Sequence, residues 1–212
     1  MRISHKYKFI FFCNPKTGSD SFREMLDPYS DLRVNNNVRE QGETLPFYTH
    51  ILPIETKEIF KKLGWEYDNY LKIICTRNPY YRLVSLYEMI YKRRPSLFMP
   101  SFKNWLIKSD NKGFGGGGKD YHRWRKYGTY SLDNLILDDN GNYLVDKVIK
   151  LEDFNKEIPS LFSKLNLPEL DGIVKKNVGR KIITQEYYDE ELVSLVQQRY
   201  SWELKKFNYK LF

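Results

Sequence analysis

The chain has 212 residues, 41% of them hydrophobic and 16% aromatic, with 35 Lys and Arg against 27 Asp and Glu for a formal charge of +8. That composition excludes a disordered chain and describes one domain long enough to bury most of its apolar surface. Two cysteines exclude a disulfide-built scaffold, no apolar run reaches membrane-spanning length, and the basic excess suits an anionic ligand.

In chain order, the apolar and aromatic run Lys8–Cys13 reads as a buried strand. It stops at the elbow Asn14-Pro15-Lys16-Thr17-Gly18 and turns into an amphipathic helix, Ser19–Leu26. The polar stretch Asp27–Thr44, with Asn35-Asn36-Asn37, reads as an irregular loop; Phe47–Ile51 reads as a short strand or extended piece before a helix over Ile54–Leu63. A second buried strand, Leu71–Thr76, ends at Arg77-Asn78-Pro79, and Pro79 suits the first turn of a helix over Pro79–Tyr91. Leu83, Leu86, Tyr87 and Ile90 recur at helical spacing and mark its core face, with Arg82 and Ser85 off that stripe.

Ser101–Lys108 reads as a helix capped by Ser101. Gly113-Phe-Gly-Gly-Gly-Gly118 reads as a linker, or as a lid with His122, Arg123 and Arg125 behind it. Asp138–Gly141 predicts a hairpin-like turn, Val145–Leu151 a strand, and Phe154–Leu165 and Asp189–Lys206 two helices, the last with Leu192, Leu195, Val196 and Arg199 on one face. Neither an internal repeat nor a domain boundary is evident. The alternation of strands and helices predicts an α/β fold, three layers α/β/α around a central parallel sheet. Cys13 and Cys75, each in a buried strand, read as small core hydrophobes. His5, His50 and His122 lack ligand spacing, so no metal is expected.

A strand that feeds a helix N-terminus is where α/β proteins hold phosphates. Lys16-Thr17-Gly18 is P-loop-like, but Asn14-Pro15 stands where GxxxxGK[ST] places glycines before its lysine. Pro15 stiffens the loop, Gly18 permits a close approach of backbone to ligand, and the hydroxyls of Thr17, Ser19 and Ser21 with the charge of Lys16 can surround an anion. The competing reading is a plain helix start with a solvated lysine. Arg77 can hold a second phosphate through two parallel hydrogen bonds, with the Ser85 hydroxyl as a third donor. Two anion cradles on one sheet point to a ligand with two separate anionic groups.

Pro15-Lys-Thr-Gly-Ser19, followed by Arg77-Asn-Pro-x-x-Arg-x-x-Ser-x-Tyr87, resembles the sulfotransferases that use 3′-phosphoadenosine 5′-phosphosulfate (PAPS), in particular the carbohydrate sulfotransferase-like group of family 2 type. Tyr48–Ile59, Tyr121–Arg125, Asp146–Phe154 and the stretch from Asn177 to Tyr209 resemble further segments of that family, so the likeness spans nearly the whole chain. The resemblance implies that Lys16, Thr17, Gly18, Ser19 and Ser21 bind the 5′-phosphosulfate. It implies Arg77 and Ser85 for the 3′-phosphate, and His50 matches a histidine that serves some members as base for the acceptor hydroxyl. On the residues themselves, the competing reading of His50 is a structural histidine before Pro53, and Glu55 and His122 are the fallback bases. Asp20 departs from the family pattern, because a carboxylate beside a dianion is unfavourable unless it points away. Gly179 replaces a serine after Asn177, for which Arg180 or Lys181 can compensate.

The implied donor is PAPS, the implied product 3′,5′-adenosine bisphosphate, and the implied acceptor a hydroxyl of a carbohydrate or similar molecule, with Trp105, Trp124 and Tyr127 as candidate stacking platforms. Nucleic acid is not an expected partner, since the basic residues are dispersed and no zinc-finger or RNA-recognition signature is present. A cytoplasmic location follows for a full-length bacterial or viral protein, and the Golgi lumen for a eukaryotic one trimmed of its anchor. Two other readings stay open: a small-molecule or nucleotide kinase using the Lys16 loop, and a non-catalytic nucleotide- or nucleic-acid-binding protein.

Overall fold

Phe9, Ile10, Phe11 and Phe12 are buried to within 1% of full burial, and this run forms the strand on which the sheet is laid. The computed structural model describes residues 1–35, 46–91, 100–109, 127–169, 172 and 184–212. Among them the strands are β1 (Arg2–Ser4), β2 (Phe9–Phe12), β3 (Leu32–Arg33), β4 (Leu71–Thr76) and β5 (Lys147–Lys150), in the spatial order β3-β1-β2-β4-β5. The helices are α1 (Ser19–Leu26), α2 (Pro53–Leu63), α3 (Pro79–Tyr91), α4 (Phe102–Lys108), α5 (Asp133–Ile136), α6 (Phe154–Lys164), α7 (Glu190–Arg199) and α8 (Ser201–Lys206).

The expected parallel centre is present: β2, β4 and β5 run parallel, with Phe9 opposite Leu71 and Ile73 opposite Lys147. An antiparallel edge is added to it, β1 pairing with β2 (Ile3 opposite Ile10) and with β3 (Ile3 opposite Leu32). These edge strands are too short to show a two-residue alternation in sequence.

The chain divides into two compact units, Met1–Thr76 with Ile136–Val178, and Arg77–Leu135 with Gly179–Phe212. The first holds the sheet. Alternate strand residues point to one face, where Phe9, Phe11, Ile73, Cys75 and Ile149 pack with Phe22, Met25 and Leu26 of α1 and Ile158, Leu161 and Phe162 of α6. Ile10, Phe12 and Ile74, on the opposite face, are buried as well, so the strands read as continuous apolar runs. The result is an α/β fold, a sheet flanked by helices. Cys13 and Cys75 lie in this core as free thiols.

The second unit packs Tyr80, Leu83, Leu86 and Tyr87 of α3 against Trp105 and Leu106 of α4, Leu192 and Val196 of α7, and Tyr200. Several sequence expectations change here. Arg82, read as lying off the core face, is fully buried and paired with the equally buried Glu203 at 3.0 Å. Trp105 and Tyr127 are buried, so neither ring face is offered to a sugar. The helix expected over Asp189–Lys206 is two, separated by Tyr200 at φ −113° and ψ 22°. Burial of the Tyr200 ring, with its hydroxyl donating to the Thr129 carbonyl at 2.7 Å, fixes that break.

In the first unit, Phe47–Ile51 is a turn rather than a strand, the Ile51 N–H donating to the Tyr48 carbonyl at 3.2 Å. The turn at Asp138–Gly141 is as expected, closed by the Gly141 N–H on the Asp138 carbonyl and flanked by a bridge between Leu137 and Tyr143. Ser101 caps α4, its hydroxyl accepting from the Asn104 N–H at 3.2 Å. Among the described residues no helix is long and apolar enough to cross a membrane.

Candidate functional site

In the first unit the parallel register brings the carboxyl ends of β2 and β4 side by side, the edge at which open α/β sheets bind ligands. Asn14 bridges them: its side-chain amide donates to the Cys75 carbonyl at 3.1 Å, which fixes where the loop leaves β2. The Thr17 hydroxyl then donates to the Asn14 carbonyl at 2.8 Å and closes the loop upon itself. That hydroxyl proton is therefore engaged within the loop, and what Thr17 can offer an anion is its backbone N–H.

Between these two staples Lys16 sits partly exposed with φ +65°, a left-handed conformation that costs a non-glycine residue about 1 kcal/mol or more. Gly18, φ +77°, is the N-cap of α1, and the helix has no side-chain cap. A Cβ at Gly18 would lie 2.6 Å from Leu151 Cδ1 and 3.2 Å from the Phe154 ring. The glycine is thus required by packing as well as by backbone, rather than by ligand approach alone. An uncapped helix start concentrates the positive end of the helix dipole at this loop. Ser19 and Ser21 are buried within the first turn. The Asp20 carboxylate is paired with Arg23 one turn on, which offsets its charge beside the loop.

His50 belongs to the same unit, in the turn before α2. Its Nδ1 lies 2.8 Å from the Cys13 carbonyl. A carbonyl can only accept, so Nδ1 carries the proton and Nε2 is left as the basic nitrogen. Burial lowers the His50 pKa to about 4, so the ring is neutral at physiological pH. The bond also moors the His50 turn to the strand end that launches the Lys16 loop. Glu55 holds the turn from its other side. One carboxylate oxygen accepts from the Leu52 N–H at 3.0 Å and from the Tyr48 hydroxyl, a structural use of a residue read as a fallback base.

The second unit opens with Arg77, partly exposed, its guanidinium 5.8 Å from the centroid of the Tyr81 ring. Asn78 starts α3, its side-chain oxygen accepting from the Tyr80 N–H at 3.1 Å. Ser85 is partly buried two turns along α3. Sequence reading missed Arg23 as the partner of Asp20, although the i,i+3 spacing was a signal. It also missed the Glu55 brace, because Leu52 at the N-cap hides the usual capping signature. Arg180, Lys181, Gly179, His122, Trp124 and the Gly113–Gly118 loop lie outside the described residues. Among those described, no group of three His, Cys, Asp or Glu side chains is placed to hold a metal ion.

The architecture is that of an α/β protein with a P-loop-like strand, loop and helix. A scan against protein-family models finds no match for the sequence, and a search of curated proteins finds none. Among solved structures the chain is similar to the crystal structure of a sulfotransferase from Alicyclobacillus acidocaldarius, with a TM-score of 0.51 and 16% sequence identity over 96% of each chain. The likeness is one of fold.

Proposed function

We propose that this chain is a sulfotransferase that moves a sulfuryl group from PAPS to a hydroxyl of a carbohydrate or similar acceptor, with residues 1–212 serving as one catalytic domain. The observation that carries the reading is the Asn14–Gly18 loop. It holds a lysine in left-handed backbone before an uncapped helix, at the carboxyl edge of a parallel sheet, in a fold like that of a sulfotransferase. In this reading Lys16, the loop and helix-start N–H groups from Thr17 and Gly18 onward, and the Ser19 and Ser21 hydroxyls receive the 5′-phosphosulfate. Arg77 and Ser85 receive the 3′-phosphate. Arg180 joins the cofactor set on the sequence resemblance.

The acceptor oxygen attacks sulfur in line as the bond from sulfur to the 5′-phosphate oxygen breaks, and 3′,5′-adenosine bisphosphate leaves with the electron pair. Lys16 stabilises the negative charge that grows on that leaving oxygen. The acceptor proton passes to His50 Nε2, which is free of a proton because Nδ1–H is committed to Cys13. A bound dianion raises the His50 pKa from about 4 toward the range where it takes a proton readily. Binding energy from the remote 3′-phosphate is spent on aligning the sulfuryl group.

Calorimetric titration with 3′,5′-adenosine bisphosphate, 5′-AMP and ATP tests the reading. Binding that depends on the 3′-phosphate supports it and opens an acceptor screen with labelled donor; a preference for ATP, or no binding, defeats it.

A further inference from the structure

We infer that Tyr81 and Phe212 form an aromatic brace that positions Arg77 and so sets how strongly the chain discriminates for a nucleotide 3′-phosphate. This rests on the assignment of Arg77 proposed above. The Arg77 guanidinium lies over the Tyr81 ring, 5.8 Å from its centroid. Phe212 meets that same ring edge-on, with centroids 6.2 Å apart and planes at 89°. Phe212 is in turn held against Tyr80 and Tyr188, each at 5.6 Å between centroids.

The segment that delivers Phe212 is tied to the residue next to Arg77. The Asn78 side-chain amide donates to the Lys210 carbonyl at 2.7 Å while its oxygen caps α3. Asn78 thus orders the helix start and the Lys210–Phe212 segment together. Tyr188 closes the assembly by donating its hydroxyl to the Tyr80 carbonyl at 2.9 Å.

The brace lies at the rim of the unit's core, against Tyr80 and Tyr188. Neither Tyr81 nor Phe212 belongs to the buried core of the unit, and Phe212 keeps 37% of its surface exposed. A large ring left half in water, packed edge-on against the ring that lies under a guanidinium, has a clear physical use. An arginine that must hold a phosphate through two parallel hydrogen bonds loses rotamer freedom when it does so, and a ring beneath its planar head removes part of that loss in advance. Tyr81 and Phe212 are therefore positioning residues: they act through Arg77 and need not touch the nucleotide.

The test is titration of the full chain and its variants with two nucleotides that differ only in the 3′-phosphate, 3′,5′-adenosine bisphosphate and 5′-AMP. Tyr81→Leu is expected to weaken the bisphosphate about three- to fivefold and leave 5′-AMP unchanged, the scale of one partly exposed cation–π contact. Phe212→Leu is expected to give a smaller loss of the same selective kind, and Tyr81→Phe, which keeps the ring, to bind as the wild type does. Should Tyr81→Leu not fold, Phe212→Leu at its half-exposed position carries the comparison. An unchanged bisphosphate affinity in the leucine variants, or an equal loss for both nucleotides, overturns the brace. A wild-type chain with no 3′-phosphate preference overturns the cofactor assignment itself, before any variant is compared.

Discussion

At Lys16 the backbone enters the left-handed region and the side chain stays partly exposed, between an asparagine and a threonine whose hydrogen bonds hold the loop closed. Left-handed backbone costs a residue with a Cβ about 1 kcal/mol or more, a cost that glycine would avoid. In the proposed role it is the ammonium of Lys16, set at this position by the loop, that acts. Two substitutions separate the roles. Lys16→Ala is expected to cut sulfuryl transfer at least a hundredfold, about the cost of one preorganised charge-stabilising donor, while 3′,5′-adenosine bisphosphate still binds. Lys16→Gly should be equally inactive, yet its unfolding free energy in urea should match or exceed that of the wild type, because glycine relieves the strained φ. Retained turnover in either variant would remove Lys16 from the chemistry, and a marked stability loss in the glycine variant would show that the side chain packs rather than acts. The Lys16 loop was legible in sequence because its signals are local: an apolar run, a proline, a lysine and a glycine before a helix.

The turn that carries His50 shows what element-scale order adds. The ring is moored to the Cys13 carbonyl, and Glu55 of α2 holds the Leu52 N–H and the Tyr48 hydroxyl on either side of it. Sequence pattern suggested an extended piece here, since Phe47, Tyr48, Thr49 and Ile51 all favour strands; side-chain bonds to the turn override that preference. The helix starts and the two long strands were readable because apolar periodicity and capping signals lie within a few residues. The short strands β1 and β3 and the break at Tyr200 were not, because they are set by pairing and burial at long range. Mooring also gives His50 a pH signature. Its folded pKa of about 4 lies below the ordinary 6.5, so in the unfolded chain the imidazole takes a proton that the folded ring refuses. Stability from this group is complete above pH 6.5 and is lost as pH falls toward about 4, reaching about 3 kcal/mol. His50→Gln, which keeps an N–H donor without a titrating ring, should flatten that part of the curve. Urea unfolding at pH 7 and pH 4.5 should show a wild-type loss exceeding the variant's by about 2 to 3 kcal/mol. Parallel curves for the two proteins would mean that the ring is solvated and titrates normally.

At the scale of the molecule, the hydrophobic stripes of α3, α4 and α7 announce a core in the second unit, but nothing local announces that its centre is ionic. Arg82 was placed off the core face by the helical spacing of Leu83, Leu86, Tyr87 and Ile90, and the partner that lets its charge be buried, Glu203, is 121 residues away. The pair joins three parts of the unit. Arg82 donates to Glu203 at 3.0 Å and to the Tyr130 carbonyl at 2.9 Å, and the same Glu203 oxygen accepts from the Leu132 N–H at 3.2 Å. Both side chains are fully buried, with the guanidinium also 5.6 Å from the centroid of the Tyr200 ring. Desolvating two charges costs as much as their attraction returns, so the pair adds little net stability, whereas breaking it strands a charge in the core. Glu203→Leu is therefore expected to cost about 3 to 5 kcal/mol in urea unfolding, and Arg82→Met a similar amount because it strands the carboxylate. The double variant should lose far less than the two single losses combined, since the unpaired charge is gone and apolar side chains of comparable size fill the space. Strict additivity would show that each residue is held by its backbone partners rather than by the other. If the coupling is found, the pair acts as a register device: it tolerates apolar replacement on both sides, tolerates it poorly on one, and holds α3, the helix that begins next to Arg77, in a single alignment with α8.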